Sequence, residues 1–353
     1  MNSSLWKNLI YILVFLAIAI LGYNFWSQDS QNTGEEEALE EPGRMSHSKK
    51  AFGLDFEIIY LDPKGRDFKS SIDSLFWKIE GLADASSSSS EIGRLNYNDT
   101  LISPSQDLIR LLKEAEKWHL NSGGAFEVTD TPLQQAWRFS NSGAVLMDTL
   151  GVEHARRWVG LAKINRTDSL ILKPFEVKVD FSKMISGIAL DQLAQFLVSK
   201  GIENFHLKLG KTELTKGLNS KGELWKSQVK YLEDSTGKST MGEIALLNKS
   251  ISHAGNPDEF YWKDSTKVSF TLDPRTGLPV NHGLLAITVV AEEGKTADAL
   301  AEQLMVMGKT EAIRMDSARN DLQMILIFSE KGGKIKQHIS PDLRKYLAFP
   351  VGN

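Results

Sequence analysis

Asp298 and Glu302 stand four residues apart in a stretch from Ala297 to Met307, whose apolar spacing and closing Gly308 predict a helix. That spacing puts both carboxylates on one helical face near the first turn. Two hard oxygen donors placed this way suit Mg²⁺ or Ca²⁺. A solvated acidic face near a helix N-terminus is also favourable, with no metal at all. The second chemical candidate is the run Leu272-Asp273-Pro274-Arg275-Thr276-Gly277-Leu278-Pro279. Asp-Pro starts a turn, because proline fixes φ and the aspartate side chain accepts backbone N–H bonds. The loop that follows offers amide donors and Arg275, a cradle for a phosphate. The bland alternative is a structural crossing in which Arg275 pairs with Asp273.

Positioning these residues requires ordered elements, and the sequence predicts several. Phe56 to Tyr60 reads as a strand, and Ile72, Leu75, Phe76, Ile79 and Leu82 mark a helix by their 3–4 spacing. Ser86 to Ser90 is too polar for a core and is expected to be a loop. A helix starts with Ser103 as N-cap, Pro104 at N1 and Gln106 at N3, burying Leu108, Leu111, Leu112 and Ala115. Another runs from about Ile188 to Lys200, with Gly201 closing it. Phe205, Leu207 and Leu209 alternate with polar residues as a half-buried strand. Residues 322–328 and 334–339 form a hairpin around Gly332-Gly333. Strands and helices mix without a regular βα repeat, so the fold class is α+β.

The chain has 353 residues, 41% of them hydrophobic, enough to build a substantial core. A formal net charge of −4 and the lack of a basic stripe give no reason to expect a nucleic-acid partner. There are no cysteines, which excludes disulfides, thiolate metal sites, a cysteine nucleophile and a lipidated cysteine. Residues 8–26 form an apolar run long enough to cross a bilayer, preceded by Lys7 and followed by the acidic Glu35-Glu36-Glu37. The basic flank stays cytoplasmic, so residues 1–27 are expected to be an uncleaved anchor in the inner membrane, with the bulk of the chain periplasmic. Residues 28–50 read as an acidic flexible tether, and 51–353 as the folded domain.

Five segments then line up in order: Ser90-Glu91 with Arg94-Leu95-Asn96; Gly123-Gly124-Ala125-Phe126-Glu127-Val128-Thr129 with Pro132-Leu133 and Trp137; Gly187-Ile188-Ala189-Leu190-Asp191; the Asp273 loop; and Ala297-Asp298-Ala299-Leu300. This set resembles the FAD:protein FMN transferase family, flavin transferases once called thiamine-biosynthesis lipoproteins, from about Ala51 to the C-terminus. The resemblance implies a fold of two subdomains with FAD in the cleft between them and Mg²⁺ on its pyrophosphate. It also implies a threonine or serine of an acceptor protein, expected in a membrane redox system, that attacks the FMN-side phosphate and releases AMP. Such phosphoryl transfer needs charge neutralisation, in-line positioning and a route for the hydroxyl proton.

Carried over by position, the metal residues are Asp298 and, in place of the family's threonine, Glu302. Asp273, Arg275 and Thr276 order the flavin loop, and Glu127, Asp191 and the Gly123-Gly124 turn shape the pocket. Phe52, where the family has methionine, stacks on the flavin or belongs to the core. Three departures stand out. The family's catalytic histidine position holds Phe270, its lysine position holds Ser186, and its Gly-Gly-Asp turn reads Gly210-Lys211-Thr212. His206, His253 and His282 are the nearest histidines and read as ordinary strand or surface residues. A positioned base contributes about 10²–10⁴-fold, which Phe270 cannot supply. Two readings follow: an FMN transferase with impaired turnover, or a non-catalytic, membrane-tethered flavin-binding or scaffold protein.

Overall fold

The computed structural model describes residues 43–139, 145–147, 149–232 and 239–348. The chain divides into 1–44 and Met45–Asn353, and the description that follows is of the second unit. Its architecture is α+β. The central sheet has eight strands. Four of them, β1 (Arg44–Ala51), β2 (Leu54–Leu61), β3 (Asn204–Leu209) and β4 (Thr212–Lys216), make one half. The other half is β7 (Ser250–Gly255), β8 (Leu284–Ala291), β9 (Gln323–Ser329) and β10 (Ile335–Ile339). The spatial order is β1-β2-β3-β4-β7-β8-β9-β10. From β2 onwards the pairs are antiparallel, with Phe56, Ile58 and Tyr60 opposite Leu209, Leu207 and Phe205. Strands β5 (Trp225–Leu232) and β6 (Ser239–Leu246) form a separate antiparallel hairpin.

Period-2 alternation assigns the two faces of the sheet. On one face Ala254, Ile287, Val289, Met324 and Leu326 pack against Ala297, Leu300, Ala301 and Leu304 of helix α5 (Gly294–Met307). On the other, Ile251, Val290, Ile325 and Ile339 pack against Val229, Ile244 and Leu246 of the β5–β6 hairpin. A larger core joins β2 and β3 to α1 (Lys69–Ala83), α2 (Glu91–Tyr97), α3 (Gln106–Asn121) and α4 (Ile185–Ser199).

Several sequence-based expectations are corrected. The N-cap of α3 is Ser105, whose Oγ accepts from Leu108 N at 3.1 Å. Ser103 precedes proline and sits at φ +51°, outside the capping conformation. Ser90, assigned to the serine loop, is fully buried: its Oγ donates to Asp84 O and accepts from Gly93 N, capping α2. Residues 44–50 of the expected tether form most of β1, a strand whose polar, alternating sequence resembles a linker. Helices α4 and α5 each begin three residues earlier than expected. The cap of α5 comes from Asp191, 103 residues upstream of Gly294, so no local signal marks its start.

Among the described residues no helix is long and apolar enough to cross a membrane. The expected anchor at 8–26 lies outside the described residues, as does the rest of the expected tether before Gly43.

Candidate functional site

Two helices and one turn build the acidic end of the site. Helices α4 and α5 meet at Gly187 and Gly294, where a Cβ on Gly187 would lie 2.2 Å from Gly294 O. That contact admits only glycine. Asp191 Oδ1 and Oδ2 accept from the Gly294 and Lys295 N–H groups at 2.7 and 3.0 Å, filling two of the open donors of the α5 N-terminus. Burial pushes the Asp191 carboxyl up to about 6. Asp191 therefore places α5, each of its oxygens accepting one N–H of that helix start.

One turn into α5, Asp298 is fully buried. Its Oδ1 accepts from the hydroxyls of Thr212 (3.2 Å) and Ser252 (3.1 Å), which face each other across β4 and β7. Its Oδ2 accepts from Gly187 N at 3.2 Å. Burial pushes this carboxyl up to about 6, against the pull of Lys211 and the Gly187 N–H. Lys211 follows Gly210, which takes the left-handed φ of +57° that the tight β3–β4 turn requires. The Lys211 ammonium forms an ion pair with Glu302. Burial would raise the Glu302 carboxyl, but Lys211 and then Lys183 hold it below its ordinary value. The Lys211 and Glu302 side chains are 36% and 24% exposed, so this pair, unlike Asp298, meets solvent.

A second wall comes from the α3 C-terminus and the loop after it. Glu127 is buried, with Oε1 accepting from Thr129 N and Oγ1 and Oε2 facing His119 Nδ1 at 3.0 Å. Burial opposes the Glu127 charge, yet His119 and Thr129 hold its carboxyl below the usual value. The bond to Glu127 raises His119 in turn. Lys183 donates to Glu127 O at 3.0 Å and pairs with Asp130. Through its field on Glu302, Lys183 links this wall electrostatically to the acidic end.

The Asp273 loop closes on itself. Asp273 accepts from Arg275 N, Nε and Nη2 at 2.8–2.9 Å, so the arginine pairs with its own loop. Thr276 Oγ1 is also turned inward, accepting from Leu278 N at 3.2 Å. Trp137 ties the loop to the body by donating to Gly277 O at 2.8 Å. The Arg275 side chain lies against Gly124, where a Cβ would come within 3.4 Å, so the Gly123-Gly124 turn and the loop are neighbours.

Phe52 occupies the β1–β2 turn at φ +53°, an unusual conformation for a bulky residue, and its N–H donates to Glu80 Oε1 at 2.9 Å. Its ring packs on the larger core. Leu54, which opens β2, lies against Gly210. Phe270 stacks on Tyr261 with ring centroids 5.9 Å apart and planes 12° apart. Ser186 is buried in the first turn of α4. His282 uses both ring nitrogens, against Val306 O and Leu284 N. His206 pairs with Glu213 at 2.8 Å. His253 bonds Thr288 at 2.8 Å and lines a cavity of about 320 Å³ under the β5–β6 hairpin, on the opposite face of the sheet from Asp298. His206, His253 and His282 are thus each engaged away from the Asp273 loop or in packing, and none takes the place of the missing histidine.

The fit to a divalent cation follows from these bonds. Mg²⁺ takes about six oxygen ligands in a near-octahedral shell. Asp298 accepts three protein donors and Glu302 is held by an ammonium. Among the described residues no three His, Cys, Asp or Glu side chains converge on one point. As arranged, the Asp298 carboxylate is taken up by three protein donors and that of Glu302 by a lysine ammonium, an arrangement that fits the ammonium better than a bare divalent ion. Sequence reasoning noted Lys211 and Thr212 only as a departure and did not find Lys183, His119 or Ser252; the partners of all five lie 7 to 91 residues away and leave no local spacing.

Comparison with known proteins matches residues 52–326 to the ApbE family. The FAD:protein FMN transferase of Haemophilus influenzae is 26% identical over 84% of this chain and 90% of its own length. That of Vibrio cholerae serotype O1 is 27% identical over 88% and 95%. The solved flavin transferase ApbE of Vibrio cholerae superposes with a TM-score of 0.73 at 26% identity, covering 86% of this chain and 99% of that one. The apo flavinyl transferase ApbE of Pseudomonas stutzeri gives 0.73 at 19% identity, over 88% and 98%, a likeness of fold.

Proposed function

The chain belongs to the ApbE family, and from this premise we propose that it binds FAD and transfers its FMN half to a threonine or serine hydroxyl of an acceptor protein. The observation that carries the proposal is the assembly, in one fold, of the Asp298–Glu302–Lys211 cluster, the Glu127–His119 wall and the Asp273 loop. In the reaction the acceptor oxygen bonds to the FMN-side phosphorus, the bond from that phosphorus to the bridging oxygen breaks, and AMP leaves with that oxygen. The hydroxyl proton passes to solvent, since Phe270 offers no base. Mg²⁺, which the family resemblance implies, would supply charge neutralisation on the diphosphate. In this chain the Lys211 ammonium pairs with Glu302, one turn beyond Asp298.

A second reading has one observation in its favour. Phe270 stacked on Tyr261 replaces a proton-accepting side chain with a packing contact, which suits a protein that holds flavin without transferring it. Incubating the full-length protein with FAD and a threonine-bearing acceptor separates the two. Transfer yields AMP and covalent flavin in equal amounts; bound FAD with no AMP supports the holding role.

The apolar run at 8–26 supports an uncleaved inner-membrane anchor with the site outside the cytoplasm. It would place the site beside acceptors of a membrane redox system. Release of the full-length protein by alkaline carbonate would contradict this.

A further inference from the structure

We propose that Lys211 is the resident cation of this site, so that the diphosphate of FAD is met by an ammonium fixed on Glu302 and binds without a divalent ion. This rests on the flavin reading above.

Four observations converge. First, Gly210 in the left-handed region sets Lys211 at the apex of the β3–β4 turn, from which its side chain reaches the face of α5 that carries both acids. Second, Glu302 lies one turn beyond Asp298, and two adjacent carboxylates without a counter-charge would repel a diphosphate. Third, two other basic groups of the site are engaged. Arg275 is held by two bonds to the Asp273 carboxylate, and Lys183 is shared between Glu127 O and Asp130. Lys211 has three N–H donors and, among the described residues, Glu302 as its hydrogen-bond partner, so it keeps donors for a ligand on its exposed side. Fourth, the first turn of α4 holds the buried, neutral Ser186, and the lysine that precedes that helix, Lys183, acts on Glu302 only through its field while bonded to Glu127 O and Asp130. Lys211 and Glu302 thus act as a matched pair. The carboxylate fixes the ammonium, and the ammonium occupies the space and the charge that a metal would otherwise take.

The test uses the full-length protein, Mn²⁺ alone as a metal probe, and FAD. Free Mn²⁺ is followed by electron paramagnetic resonance in titrations of the wild type and of Lys211→Met, which keeps the side-chain length and removes the charge. The wild type is expected to withdraw no stoichiometric Mn²⁺. Lys211→Met, with Asp298 and Glu302 unneutralised, is expected to bind it at least about tenfold more tightly. In the second arm, the wild-type Kd for FAD should agree within about twofold in EDTA and in millimolar Mg²⁺, while Lys211→Met in EDTA should bind at least about tenfold more weakly.

One equivalent of Mn²⁺ bound by the wild type, or a tenfold loss of wild-type FAD affinity in EDTA, overturns the proposal. Should the variant not fold, the two wild-type measurements still decide. If the wild type binds no FAD under either condition, the flavin reading fails and the proposal with it, whereas Mn²⁺ bound by a wild type that also binds FAD overturns the role of Lys211 alone.

Discussion

A single methyl group at position 187 should unseat the acidic helix. A Cβ there would lie 2.2 Å from Gly294 O, 2.3 Å from Gly294 C and 2.5 Å from Lys295 N. Carbon makes ordinary contact at about 3.5 Å, so in Gly187→Ala the two backbones must separate by more than about 1 Å. Three bonds sit at that crossing: Gly187 N to Asp298, and the two from Gly294 N and Lys295 N to Asp191. Overpacking of this kind costs about 1–3 kcal/mol. Each bond to a buried carboxylate adds about 1.5–3 kcal/mol when lost. With one bond broken, Gly187→Ala should lose about 2.5–6 kcal/mol, a large share of the roughly 5–15 kcal/mol typical of a domain. Urea unfolding followed by circular dichroism measures this as a lowered midpoint, and FAD titration of the surviving fold should show weaker binding. A loss below about 1 kcal/mol with FAD affinity unchanged would refute the claim that this crossing positions Asp298.

Three further outcomes are expected. Phe270→His places an imidazole at the start of the Asp273 loop and should raise AMP release by about 10²-fold or more if the rest of the site is competent; an unchanged rate shows that the base is not what limits turnover. Trp137→Phe leaves Gly277 O without its buried donor and should cost about 1–3 kcal/mol, with weaker FAD binding as the loop loosens; unfolding curves identical to the wild type would contradict this. His253 gives a pH signature. Burial, opposed by the field of Glu213 and aided by those of Lys211 and Lys208, lowers it from 6.5 to about 4. Its depressed value means that the stability it supports is present above pH 6.5 and is lost as pH falls towards 4. Relative to His253→Gln, the wild type should lose about 3 kcal/mol across that window; parallel pH profiles would rule this out.

The sequence makes the long elements legible wherever burial is periodic. Ile72, Phe76 and Ile79 mark α1, and Phe205, Leu207 and Leu209 mark β3, because one face of each is apolar. Helix starts are less legible. The cap of α5 lies on α4, and the cap of α2, Ser90, hides in a run of five serines that look alike until one is buried. The family motifs locate Asp298, Glu302 and the Asp273 loop, and the structure joins them to partners that the motifs do not name. Arg275, a phosphate candidate by type, is folded back on Asp273 two residues away. Lys211 looks like a lost glycine in one dimension and becomes a counter-ion in three, because only the fold brings residue 211 to residue 302.

The transfer and the flavin-holding readings both require that the chain bind FAD. The most direct measurement is calorimetric titration of the full-length protein with FAD. The account predicts one FAD per chain with micromolar or tighter affinity, and a Kd that weakens in Lys211→Met. Absence of saturable FAD binding by the folded wild-type protein would contradict it.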